Sequence, residues 1–257
     1  GHTKDNILNL HKCKSRAVRL ASGLILIIIV EMIDINIKKV AHFLFWFLAC
    51  LIAVNLLFLV SKYHFNLSLP VSIYNLFNFD REANIPTLFS VLLLLFSGIA
   101  FLLNRFFEQD KKLFKGWAII SILFLYLSVD EGSQIHESIM DIIRIFYHGS
   151  GAFYFVWVIP AIALVATLFV VLFRFYFLLP ESFRKQLLIG FSVYLAGAII
   201  MEMVGGFYVS NFGDASITYP LFIVIEESLE IFGSIIILIA SLNNLKNSTD
   251  SISAKLS

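Results

Sequence analysis

The residues best suited to chemistry are Asp130, Glu131, His136 and Glu137, which lie within Tyr126 to Asp141, YLSVDEGSQIHESIMD. They interrupt a run that is otherwise apolar. At helical spacing Asp130, Gln134, Glu137 and Asp141 share one face, with His136 on its flank. Ionisable groups inside a bilayer cost about 2.5 to 3.5 kcal/mol each on insertion scales, so they turn toward a protein interior and mark functional sites. Two later apolar segments add Glu202 in IIMEMVGG, and Glu226, Glu227 and Glu230 in IEESLEIFG.

The charge count sharpens the demand on these groups. Four carboxylates lie between Gly116 and Ile143 and five between Leu187 and Ser241, and neither stretch holds a Lys or Arg. Carboxylates crowded in low dielectric without local cations must hold protons or bind a cation. The expected metal ligands are Asp130, His136, Glu137, Glu202, Glu226 and Glu230, with Glu131, Glu227, Asp80 and Glu82 around them. Oxygen ligands with one imidazole suit zinc, manganese or iron; without His136 the set suits magnesium or calcium. Di-metal carboxylate bundles use a Glu-x-x-His pair on each of two helices, and no such pair exists here.

Plainer roles compete for the same residues. Asp130 could cap a broken helix before Gly132, and His136 could be a hydrogen-bonded structural residue. Glu226 and Glu227 are adjacent and cannot face the same way, although either reaches Glu230 along a helix. Gly205 with Gly206, and Gly233 with Ser234, fit close helix packing. His42 and Asn55 are lone polar residues expected to bond within the bundle.

The elements that must position these groups are membrane helices. Hydrophobic residues make up 59% of the 257 residues and charged ones 14%, and the mean hydropathy is +0.88. One soluble core of this size could not hide so much apolar surface. The net charge of +1 leaves no basic surplus for nucleic acid. The expected fold is all-α, a polytopic bundle of six crossings at about 40–61, 85–106, 116–138, 153–176, 187–208 and 218–241, together a transmembrane domain over 40–241. Residues 1–19 form a basic cytoplasmic leader, whose Gly1 and His2 resemble a tag scar. Residues 20–39 form an interfacial amphipathic helix or a seventh crossing, and residues 242–257 a disordered cytoplasmic tail. Cys13 and Cys50 have no metal-motif spacing and no expected disulfide.

Loop charge sets the orientation. Lys38, Lys39, Arg105, Lys111, Lys112, Lys115, Arg174, Arg184, Lys185 and Lys246 mark alternate connections as cytoplasmic, which places both termini inside a cell membrane, the bacterial inner membrane by expectation. All three acidic sets then lie in the outer half of the bilayer. The long outer connection, 62–84, ends in Asp80, Arg81 and Glu82 before Pro86, as a capped helix start or as a lid bringing charge over the site.

Several chemistries fall away. Crossings two, three, five and six hold no lysine for a retinal Schiff base, His42 and His136 sit at opposite depths for haem, and Met140 stands where HExxH needs its second histidine. The EESLE run resembles the paired glutamates of membrane CAAX-type proteases, but their partner arginine and histidine motifs are missing. FDREANIPTLFS followed by VDEGSQIHE is similar to an uncharacterised family of bacterial multi-pass membrane proteins over about residues 40 to 240. That resemblance implies a fold and no activity. The leading expectation is a metal site in an intramembrane enzyme acting on a lipid or other apolar substrate. The alternatives are a proton or cation transporter or channel using the same carboxylates, and a binding or sensor protein. Oligomeric state is not legible.

Overall fold

The structure, a computed structural model, describes residues 36–67, 70–108 and 110–256, with side chains as far as residue 250. The leader and nearly all of the expected 20–39 helix, with Cys13, lie outside the described residues. Every regular element among the described residues is a helix.

The first, α1, spans Ile37–Tyr63, and the Lys39 N–H donates to Oδ1 of Asn36 at its start. A short α2, Val71–Phe77, lies in the long connection that follows, and Asn55 on α1 ties it down by donating to the Phe77 carbonyl at 2.9 Å. The next helix, α3, spans Ile85–Phe107 and starts on Asn84. That side chain accepts the Thr87 N–H at 3.0 Å and donates to the carbonyls of Asn75, Asn78 and Arg81, so one residue caps the helix and folds the loop before it.

Asp110 caps α4, Lys111–Ser133, through the Lys112 N–H, and α5, Ile135–Arg144, follows after a single residue. A 3-10 turn at Gly151–Phe153 leads to α6, Val158–Leu178. Then α7, Glu181–Leu195, runs through a π turn at Ala196–Met201 into α8, Glu202–Phe212. Last comes α9, Thr218–Leu256, a helix of 39 residues.

Among the described residues five helices are long and apolar enough to cross a membrane: Ile37–Tyr63, Ile85–Phe107, Lys111–Ser133, Val158–Leu178 and the continuous Glu181–Phe212. The segment expected to cross at 218–241 lies in α9 and is not among the five; three glutamates sit near its start. Where a disordered tail is expected from residue 242, α9 continues as helix and buries Leu245 and Thr249.

Central to the bundle, α9 packs against α1, α3, α7, α8 and the π turn. One apolar cluster joins Leu48 and Leu51 of α1, Phe89 and Leu93 of α3, and Ile231, Ile235 and Leu238 of α9. A second joins Phe101 of α3, Trp117 and Phe124 of α4, Phe183 and Leu187 of α7, and Ile237 of α9. Between α3 and α9 the pairing is parallel and in register. The early residues Phe89 and Leu93 meet Ile231 and Ile235, and near the other end the Asn104 side chain donates to the Ser241 carbonyl and accepts from the Asn244 side chain. Ser97 and Ser234 are fully buried, and neither hydroxyl has a hydrogen-bond partner among the described residues.

Glycine makes the α7–α9 approach close enough to matter. A Cβ on Gly233 would stand 2.5 Å from the Tyr194 nitrogen and 2.8 Å from the Gly190 carbonyl, so the two backbones touch directly. By contrast, α6 stands off: its buried residues are Val158 and Phe175, near its two ends.

Candidate functional site

The expected single helical face from Asp130 to Asp141 does not form. Gln134 adopts left-handed backbone angles, φ 56° and ψ 41°, and ends α4 at Ser133. The chain turns there, and Asp130 reaches across the break. Its Oδ1 accepts the His136 backbone N–H at 2.8 Å and its Oδ2 lies 3.2 Å from His136 Nδ1. Asp130 therefore caps α5, as the plainer reading of the sequence has it, with the break at Gln134 rather than before Gly132. Burial works against charge on His136, yet the hydrogen bond and negative charge of Asp130 more than offset it, raising the imidazole above its ordinary pKa.

A cavity of about 530 Å³ opens beneath this turn. Glu82, Asp130, Glu131, Glu202, Glu226, Glu227 and Glu230 line it together with His136, Trp157 and Tyr194. Away from the acids its wall is apolar, built from Leu123 and Leu127 of α4, Ala161, Leu164 and Leu168 of α6, and Phe191 of α7. The site thus has a polar end and an apolar end.

Local structure explains how each acid arrives. The π turn, one residue per turn wider than an α-helix, precedes Glu202 directly and resets the direction in which that side chain leaves the helix. Gly197 within it has no room for a Cβ, which would meet the Glu226 carbonyl and the Glu230 side chain at 2.7 Å. Glu202 accepts the indole N–H of Trp157 at 2.8 Å, and the Trp157 ring lies 5.1 Å from the His136 ring. Glu226 stands near Glu202, and Tyr194 near Glu230, along the cavity wall. Ser90 is directed at Glu131. Neighbouring carboxyl groups in a buried wall share a proton more readily than they carry two charges.

Glu82 hangs from the outer connection over the same end, where Gln134 is its partner. Burial, then the charge of Glu137, raises its pKa above the usual carboxylate value. The connection therefore both caps α3 and brings a charge over the site.

Two expected site residues stay outside the cavity. Glu137 is exposed on α5, because the turn at Gln134 swings it away. Asp80 faces Arg81 and Lys62; burial pushes its pKa up against their opposing charges. The expected metal constellation is also not assembled. Among the described residues no three His, Cys, Asp or Glu side chains come together so as to hold one metal ion. The acids line a common wall, where Asp130 is hydrogen-bonded to His136 and Glu202 to Trp157.

Sequence reasoning did not single out Trp157 and Tyr194 as site residues. The one signal for Tyr194 was its eight-residue spacing from Glu202, close to two helical turns, which the π turn partly unwinds. His42 bonds back to the Lys38 carbonyl of its own helix, and Cys50 is an exposed free thiol.

Over residues 44–244 the chain matches the family described as Domain of unknown function (DUF8692), and it belongs to that family. No curated protein and no solved structure matches it.

Proposed function

We propose that this is an integral membrane protein, crossing six times with both termini on the cytoplasmic side of the cell membrane. Its cavity draws a lipid-like amphiphile from the bilayer and works on the head group by proton transfer among carboxylates. The observation that carries this reading is the one continuous cavity, acid-lined at one end and apolar along the rest, beside a helix anchored only near its ends. An amphiphile has those two halves, and the stand-off of α6 offers its tail a sideways route from lipid.

Glu202 is the leading acid–base group. The Trp157 N–H fixes one of its oxygens, and Glu226 is positioned to exchange a proton with it. Glu230 with Tyr194 forms a second proton-holding pair deeper in the wall. The divalent cation expected from the sequence is not part of this reading, since the ligand geometry it needs is not formed among the described residues.

The test is lipid analysis after the protein, reconstituted in bilayers of a total polar lipid extract, is incubated beside Glu202→Gln and Ala161→Trp, the second filling the apolar part of the cavity. Wild type should convert one lipid class, Glu202→Gln should retain it bound but unchanged, and Ala161→Trp should do neither. Identical lipid profiles in all three samples, with nothing bound, would overturn the reading. A transporter is the second reading, favoured by the unpartnered buried hydroxyls of Ser97 and Ser234. Against it, Phe101, Phe124 and Ile237 close the core beyond Tyr194. Proton flux into liposomes tests it directly.

A further inference from the structure

The composition of the cavity's polar end specifies more than polarity. Seven carboxylates line it and no Lys or Arg does. Of the loop cations, Lys62 lies over the Tyr63 and Tyr74 rings and Arg144 over the Tyr154 ring at 5.5 Å. Two of the acids are hydrogen-bonded, Asp130 to His136 and Glu202 to Trp157. Glu227 lines the cavity as well and accepts no hydrogen bond among the described residues. A second kind of group points the same way. Tyr126, Trp157 and Tyr194 line the same end, and electron-rich aromatic faces beside carboxylates are how proteins hold organic ammonium groups. An anionic head group would meet seven carboxylates against one imidazole, that of His136, already engaged by Asp130, and a neutral one would leave Glu227 without a counter-charge.

We propose that the amphiphile taken by this cavity carries a protonated amine or another organic ammonium in its head group, seated against Glu227 and the surrounding aromatic rings. This assignment of ligand class rests on the amphiphile reading given above. In it, the ammonium supplies the positive charge that the lining lacks, and the tail follows α6. The Glu202–Glu226 pair then lies beside the bound head, where a proton can pass to or from it.

The test uses the full chain in nanodiscs of phosphatidylcholine, with four ten-carbon probes: decylamine, decyltrimethylammonium, decanol and decanoate. Stabilisation against heat reports binding, because a ligand held by the folded state raises the unfolding midpoint. Both ammonium probes should half-saturate the effect at concentrations at least about tenfold below decanol, and decanoate should give none. Glu227→Gln should weaken the ammonium probes about tenfold while leaving decanol unchanged. Ala161→Trp should abolish the effect of every probe that stabilises wild type. Should Glu227→Gln fail to fold, the ranking of probes on wild type still decides, and Glu131→Gln serves as the second variant. Decanol or decanoate binding as tightly as the amines, in a manner Ala161→Trp removes, would overturn the ammonium assignment and leave the amphiphile cavity standing. No probe effect that Ala161→Trp removes would overturn both.

Discussion

Trp157 holds the site's polar end together from two sides, by its N–H to Glu202 and by its ring against His136. Trp157→Phe keeps the ring and removes the donor, leaving a carboxyl oxygen without its partner in a half-buried wall. The expected cost is about 1 to 3 kcal/mol, read as a lowered unfolding midpoint, and a midpoint equal to wild type would mean the bond contributes nothing. The Asp130–His136 contact makes a pH-dependent contribution of known sign. The imidazole pKa is raised in the folded protein, so its contribution is complete below about 6.5 and is lost as pH rises through the folded value. The midpoint difference between wild type and His136→Gln should therefore shrink from pH 6 toward pH 9; a difference that grows would refute the pairing. At this scale the sequence was informative about type and silent about partner. The carboxylates around the cavity were legible because charge is rare in apolar runs. Trp157 was not, because an aromatic residue at a helix end looks the same in an interfacial belt and in a site.

Helices show the same division. Their existence and approximate limits follow from apolar runs between basic loops, and caps such as Asn84 before Pro86 sit where the pattern turns. Breaks inside a helix left a fainter mark: Asp130 before Gly132 suggested one, but not where it falls. Gln134 is neither Gly nor Asn, so nothing in its type announces a left-handed residue, and the face counted through it dissolved. The π turn was likewise hidden within AGAIIM, which reads as ordinary helix. Close approach leaves a clearer mark in glycine. Gly233→Ala would drive a methyl into the α7 backbone, with an expected loss of about 1 to 3 kcal/mol in a thermal unfolding assay, and a neutral result would mean α7 can slide away. The parallel α3–α9 seam makes the opposite forecast. Ser97 and Ser234 bury hydroxyls without partners, so Ser97→Ala with Ser234→Ala should be neutral or stabilising by up to about 1 kcal/mol each, measured the same way. A large loss would reveal an ordered water or ion bridging them.

The whole molecule is a bundle about α9 with one side left open. Its arrangement in a membrane is checked by labelling single cysteines with an impermeant maleimide in intact cells, after Cys13 and Cys50 are replaced by serine. Asp214→Cys, in an exposed loop on the acid side, should label from outside, while Lys111→Cys and Glu181→Cys should label only after the cells are opened. Labelling of all three from one side would refute six crossings. Neither the cavity nor the stand-off of α6 could be read from the chain, because α6 is as apolar as its neighbours and only tertiary packing sets it apart. That gap has a practical consequence for anyone handling the protein outside a bilayer. A surfactant tail has the same shape and polarity as the occupant proposed for the cleft, so the purification detergent is itself a competitor. A preparation solubilised in a long-chain, tightly held detergent would arrive at the assay already inhibited, and exchange into a short-chain detergent or a polymer-bounded disc should restore whatever the protein does.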